Sequence, residues 1–289
     1  MISAVIAILA MMPVFLIGTI GELISQKSGV YNIGIEGVMA FGAITAILSY
    51  HFIAASLWLS LLFGFLGGTI FGILNSLLSI KLKLDQVVVG FGLWFLGVGL
   101  AGFIHTTFLA GRPPVEMFPK VLFSLDIVFY MSIALWAAAW LIFSTTSIGL
   151  RIRAVGEHPK AADVAGINVF RIRWACVTVG CGLIGLAGAY LFLNFVQEFR
   201  TMVSGFGWMC FALVMFSRWK VPYTLLGTAI FTAINVIQTR LQVSGIIIMP
   251  FEFMNVLAYV AVIVGLVITM ATGGKGAMPA SLYIPYERE

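Results

Sequence analysis

Apolar runs close to 20 residues, the length of helix that crosses ~30 Å of hydrocarbon, recur from one end of the chain to the other with short polar clusters between them. They predict nine spans, at roughly 2–20, 32–55, 57–80, 86–110, 122–143, 174–196, 203–217, 222–240 and 253–271. The expected fold class is an all-α polytopic membrane protein, a single transmembrane domain over 1–289 with no appended soluble unit. The seventh run is only about 15 residues long, short of a comfortable crossing, and opens on SGFGW. That marks it as a candidate broken or re-entrant helix.

The seventh run also bears a loose likeness to the second. EGVMAFGAI stands against FGWMCFALV, and each is followed by a helix ending in a Gly-Thr then Asn pattern, GGTIFGILN and LGTAIFTAIN. Basic residues decide how the two copies are oriented. The loop 144–173 carries Arg151, Arg153, Lys160, Arg171 and Arg173, which places it in the cytoplasm, and counting spans outward from it fixes every other loop. Lys27, Lys81, Lys83, Arg218, Lys220, Lys275 and Arg288 then fall inside with those five, and Arg112, Lys120, Arg200 and Arg240 outside. The amino terminus is expected outside a plasma membrane and the carboxyl terminus inside. On this topology the copies run in opposite directions, so about 1–110 and about 174–271 form an inverted repeat joined by span 5, a common architecture of transporters. Any two glycine-rich apolar stretches can align this loosely, but the charge count that inverts them uses no similarity.

Composition excludes a soluble domain: 61% of the 289 residues are hydrophobic and 9% charged, and the mean hydropathy is +1.10. The first 20 residues have no basic flank or small-residue cleavage site, so they read as a retained helix rather than a signal peptide. Cys176, Cys181 and Cys210 lie in apolar runs without CxxC or CxxH spacing and are expected to pack, leaving no metal or other cofactor implied. No segment matches GxxxxGK[ST]. TGGKGA at 272–277 lacks both the upstream glycine and the following hydroxyl, so the chain does not hydrolyse ATP by itself. His51, His105 and His158 lie in unrelated contexts with no nucleophile elbow nearby, and the enzymatic reading finds no support. Nothing suggests a nucleic-acid partner.

The loop TSIGLRIRAVGEHPKAADVAGINVFRIRW is long enough for one or two short helices. Pro159 suits a first helical turn and Gly166 a stop just past the end. The small side chains of AADVA let another surface approach closely, and the flanking cations suit an acidic partner or lipid headgroups. The plainer reading is a solvated basic loop that only fixes orientation.

The segment GLRIRAVGEHPKAADVAGINV resembles the coupling segment of permease subunits in the branched-chain amino acid, simple-sugar and nucleoside group of ATP-binding-cassette importers. Of their approximate pattern GxxxRAxGxNxxAAxxxGI, the positions Gly149, Arg153, Ala154, Gly156, Ala161, Ala162, Gly166 and Ile167 match. The stretches GVYNIGIEGVMAFGA and SGFGWMCFALVMFSRW are similar to the two signatures of the nucleoside-type branch, so the resemblance covers most of the chain from 18 to 240. It implies that the segment of Arg153, Gly156, Glu157, His158, Pro159, Ala161, Ala162 and Gly166 enters a cleft on a cytoplasmic ATPase. His158 departs from the family's asparagine, a better N-cap, and puts the cap in doubt but not the docking. The resemblance further implies cytoplasmic ATP-binding subunits, a second permease subunit in a hetero- or homodimer, an extracytoplasmic substrate-binding lipoprotein and alternating access, most closely for nucleosides. An amino acid or sugar permease is the runner-up. An ion-coupled secondary transporter is the alternative from another class, disfavoured because intramembrane ionisable residues are few. A non-transporting scaffold is the weakest option.

In YNIGIEG, discontinuous helix would expose backbone groups to a solute, and Glu36, costly if stranded in lipid, should face a cavity or find a partner. Asn32 and Glu36 lie one helical turn apart, with Gly34 and Gly37 leaving room for close packing. Glu36 could equally be structural, capping the start of span 2. Gly205 and Trp208 are the counterparts in the second signature. Asn75 and Asn235 suit the pathway or, more commonly, interhelical hydrogen bonds. Trp58, Trp94, Trp136 and Trp140 read as packing or interfacial aromatics, and Asp85 as a solvated loop charge.

Overall fold

The computed structural model describes residues 2–195, 205–243 and 278–287, together with Val260, Val264 and Val267. Its helices are α1 (Ile2–Lys27), α2 (Ile35–Phe52), α3 (Leu57–Asn75), α4 (Gln86–Ile104), α5 (Ile127–Thr145), α6 (Ser147–Glu157), α7 (Pro159–Val164), α8 (Val169–Asn194), α9 (Phe206–Phe216) and α10 (Val221–Val243). Single π-helical turns, Ser76–Lys81 and His105–Leu109, prolong α3 and α4. A short antiparallel hairpin pairs β1 (Lys120–Leu122) with β2 (Leu125–Asp126). Among the described residues 7 helices are long and apolar enough to cross a membrane: α1 to α5, α8 and α10. They match the first six expected spans and the eighth. The seventh is the 11-residue α9, and the ninth, 253–271, lies outside the described residues.

Three boundaries differ from the hydropathy reading, each because polar side chains find partners inside. The first span was expected to end near 20 but continues to Lys27, with Glu22 and Gln26 fully buried and joined by a 2.7 Å bond from Gln26 Nε2 to Glu22 Oε1. The fifth was expected from 122, yet the chain first forms the hairpin and starts α5 at Ile127, where Asp126 accepts the Phe129 N–H at 3.1 Å. The sixth begins at Val169 rather than 174, capped by Asn168 on the Arg171 N–H at 2.9 Å. Arg173 therefore lies inside α8, 2% exposed, its guanidinium donating to Ser28 O, Ile284 O and Ser281 Oγ.

The core is built around α8, which packs on α1, α2 and α3. Small residues allow this closeness. A Cβ on Gly42 would strike the Gly185 backbone, on Gly68 the Cys181 carbonyl, and on Gly188 the Met39 carbonyl. The helix ends sort onto two faces. Lys27 meets Gly156, Ser28 meets Arg173, Asp85 meets Tyr283, and Trp219 meets Gln26 on one. Ser3 meets Arg240, Phe52 meets Arg112, and Asp126 meets Tyr190 and Asn194 on the other.

Candidate functional site

Gly29, at φ +91°, turns the chain out of α1, and residues 28–34 run unwound before α2 starts at Ile35. The unwound backbone is held from the side: Tyr31 N–H donates to Gln86 Oε1 at 2.8 Å. Asn32 is fully buried, its Nδ2 3.4 Å from Cys181 Sγ and its Oδ1 accepting from Asn75 Nδ2 at 3.3 Å. Ser79 Oγ donates to Asn75 Oδ1 at 2.8 Å. The structure thus brings Asn32 and Asn75 together as an interhelical polar clasp joining the unwound segment to α3 and α8.

Glu36 lies in the first turn of α2, 8% exposed, and its Oε1 accepts the Gly205 N–H at 3.0 Å. Gly205, at φ +86°, is the residue before α9, a conformation that favours glycine. The carboxylate therefore faces the positive ends of two helices, its own and α9, and not only its own as capping of span 2 would require. A Cβ on Gly207 would collide with the Glu36 backbone, so the start of α9 presses directly on the start of α2. Glu36 Oε2 is buried as well, and the Trp208 backbone N–H also lies within reach of the carboxyl group. Gly34 and Gly37 play a different part: they abut Gly90 and Leu93, and Leu93, Trp94 and Gly97 respectively, admitting α4 to backbone contact. Trp208 stands perpendicular to Trp94 at 5.7 Å, with Phe91 and Phe211 at 6.5 and 6.2 Å. Asn235 is not brought to this cluster. It is half-buried on α10, which packs on α1, α5 and α9.

The path of α9 follows from its contacts with α1. Phe206 stacks on Phe15 at 5.5 Å, near the middle of the 26-residue α1, and Trp219, just past the end of α9, donates Nε1 to Gln26 Oε1 at 2.6 Å. The helix covers about half the depth of the bundle. Sequence reasoning missed the polar chain beside it, Trp219 to Gln26 to Glu22, with Asn32 next to the Glu22 carboxylate. The signal was present as Glu22 and Gln26 at i, i+4 immediately after an apolar run.

In the 144–173 loop, Thr146 caps α6 through the Gly149 N–H at 3.2 Å. Pro159 opens α7 and Gly166, at φ +83°, ends it, as the sequence suggested. His158 occupies the N-cap position and makes no side-chain cap bond. The remaining residues divide. Arg153, Glu157, His158 and Ala161 are exposed, whereas Gly156 is packed against the Lys27 carbonyl and Ala162 is buried with Val155, Val169 and Tyr286. The carboxyl-terminal segment 278–287 closes over this loop. Ser281 N–H donates to Gly156 O at 2.9 Å, Ala280 N–H to Glu157 Oε2 at 3.2 Å, and Tyr286 OH to Asp163 Oδ2 at 2.9 Å. Asp85, read from sequence as a solvated loop charge, is exposed but also caps α4 through the Val87 and Val88 N–H groups and accepts from Tyr283 OH at 2.6 Å. The Tyr283 hydroxyl, and then those N–H groups, hold its carboxyl below the usual carboxylate range, while Asp85 raises the Tyr283 phenol.

Residues 4–272 match the family described as the permease component of branched-chain amino acid transport systems. The chain is 32% identical to a guanosine ABC transporter permease protein of Bacillus subtilis, over 92% of this chain and 91% of that one. It is 28% identical to a nucleoside ABC transporter permease protein of Lactococcus lactis, over 93% and 91%. It is 33% identical to a putative glucose ABC transporter permease protein of Haloferax volcanii, over 79% and 74%. No solved structure matches it.

Proposed function

From the premise that this chain belongs to the branched-chain amino acid transport permease family and is the permease subunit of an ABC importer in the cell membrane, we propose that it carries nucleosides across by alternating access. It is a transport component rather than an enzyme, and the family implies ATP-binding subunits and a substrate-binding protein alongside it. The observation that carries the substrate class is likeness to nucleoside-type permeases over more than nine-tenths of both chains. A sugar is the second reading, favoured by the glucose-named relative. Glu22 and Glu36 are both buried, so scarcity of intramembrane carboxylates no longer argues against an ion-coupled transporter, and family membership does.

Two geometric features support the mechanism. The unwound entrance of α2 and the half-depth α9 meet at the Glu36–Gly205 bond, so a solute path beside them can be opened by parting one pair of helix ends. The helix packing also fits an inverted repeat. α2 and α3 pack on α8 as α9 and α10 pack on α1, and α1 ends on the face where α8 begins. On this reading the face bearing Lys27, α6, α7 and segment 278–287 is cytoplasmic, and the exposed side of α7, with Ala161 and Val164 (91% exposed), meets the ATPase. A second permease subunit completes the pore, and a lipoprotein delivers the solute from outside.

Reconstitution of the complex in proteoliposomes tests the assignment. ATP-dependent uptake of labelled guanosine, competed by other nucleosides but not by glucose or leucine, is expected. Glucose uptake that nucleosides do not compete would replace the substrate, and uptake driven by an ion gradient without ATP would sink the mechanism.

A further inference from the structure

Between the last turn of α5 and the first turn of α10, on the Lys27 face, lies a cavity of about 240 Å³ whose lining includes Lys27, Arg153, Lys220, Trp140, Trp219 and Pro222. Its wall is largely aromatic and aliphatic, while its charge comes from three separate elements: the end of α1, α6, and the turn before α10. Lys27 is within electrostatic reach of both Arg153 and Lys220. The carboxylate acting on it, Glu157, also accepts the Ala280 N–H at 3.2 Å. Glu157 offsets part of the mutual repulsion among the three cations around this apolar hollow, leaving an excess of positive charge that an anion between them would offset further. The start of α10 brings the positive end of a helix to the same wall.

The depth is equally informative. Trp136 stacks on Trp140 at 6.3 Å and donates Nε1 to Val221 O at 3.0 Å, fixing α5 to the start of α10. Trp140, in the last third of α5 (Ile127–Thr145), lies where tryptophans of spanning helices meet the boundary of lipid and water. Only 22% of the spanning window of α5 is buried, and Trp140 is 46% exposed, so this flank presents a hydrocarbon-compatible surface directly below the cations. A free phosphate would satisfy the charges but leave that wall uncovered, whereas a phospholipid covers both.

We infer that this hollow holds the phosphodiester headgroup of an anionic phospholipid, with Lys27, Arg153 and Lys220 around the phosphate and the acyl chains along α5 and α10. The assignment rests on the spanning of the membrane by these helices. It does not depend on the transported solute or on which face is cytoplasmic, so uptake assays and lipid binding fail independently.

The test is native mass spectrometry of the purified complex, delipidated and then titrated with phosphatidylglycerol or phosphatidylcholine. Preferential retention of phosphatidylglycerol is expected. The Lys27→Gln/Lys220→Gln variant should bind it about thirtyfold more weakly, at roughly 1 kcal/mol per cation removed, and Lys27→Arg/Lys220→Arg should restore it. Equal retention of the two lipids, or unchanged binding by the glutamine variant, overturns the site. Displacement of phosphatidylglycerol by inorganic phosphate alone assigns the hollow to a free anion and overturns the lipid. A second readout does not require removing charge: quenching of tryptophan emission by brominated phosphatidylglycerol should fall in Trp140→Phe, and identical quenching in both proteins overturns the proposal.

Discussion

Glu36 joins two helix starts through one oxygen, and its side chain is the residue-scale feature on which the proposed mechanism can be tested. Glu36→Gln keeps an acceptor for the Gly205 N–H but removes the charge that both helix ends face, a change of ~1 kcal/mol, the difference between a hydrogen bond to a charged group and one to a neutral group. Uptake should fall about fivefold on that scale while the complex still assembles. Wild-type uptake by Glu36→Gln would remove its charge from the mechanism. Ala161 and Ala162, equivalent in sequence, have opposite consequences in the structure. Ala162→Trp overpacks the small core with Val155, Val169 and Tyr286 and should destabilise the loop itself by ~1–3 kcal/mol. Ala161→Trp leaves that core alone and enlarges only the exposed side, so it is the cleaner probe of docking. Stimulation of ATP hydrolysis by loaded binding protein should disappear in Ala161→Trp with thermal stability unchanged. Full stimulation and full uptake there would reduce α7 to a topological anchor.

At the scale of elements, segment 278–287 acts as a strap. It ties α6 through Gly156, α7 through Asp163, α8 through Arg173 and the start of α4 through Asp85. Such a strap makes the α6–α7 loop move with the helix ends rather than as a loose loop. One of its bonds has a defined pH dependence. The folded Asp85 value lies below the ordinary 3.8, so the stabilisation it brings is fully present well above that value. It is lost as pH falls through the lowered one. Protection factors across 278–287, which correct for the intrinsic slowing of amide exchange in acid, should therefore fall only as pH drops below about 3.8 and through the lowered Asp85 value. Tyr283→Phe should show faster exchange already at neutral pH and a smaller change on acidification. An acid response identical to wild type in Tyr283→Phe would assign it to other carboxylates.

For the whole molecule, the sorting of helix ends onto two faces makes sidedness a single question. Every contact that joins Lys27, Asp85, Gly156, Arg173 and Trp219 requires those residues to share one side of the membrane. In a cysteine-free background, Lys160→Cys should resist an impermeant thiol reagent in intact cells, while Arg112→Cys should react. External labelling at 160 would invert the entire molecule, since no single loop can be flipped without breaking these contacts.

Hydropathy located the first six spans and the eighth, though not all their boundaries, because a helix that must satisfy its backbone in hydrocarbon needs a long apolar run and leaves that run legible. The sequence by itself also showed the short seventh helix, the proline start and glycine stop of α7, and the distribution of cations, all of which are local features. It could not show that Glu22 and Gln26 lie inside α1, that Arg173 is buried in α8, or that Asp126 ends a hairpin before capping α5. Each polar side chain is tolerated only because its partner arrives from elsewhere: Trp219 for Gln26, Ser28 and Ser281 for Arg173, Tyr190 and Asn194 for Asp126. The same holds for the site. The sequence singled out Asn32, Glu36 and Gly205, but only tertiary structure decided that Glu36 answers Gly205 and Asn32 answers Asn75, while Asn235 joins neither. Hydropathy is a sum over neighbours in the chain, whereas the cost of burying a polar group is set by neighbours in space.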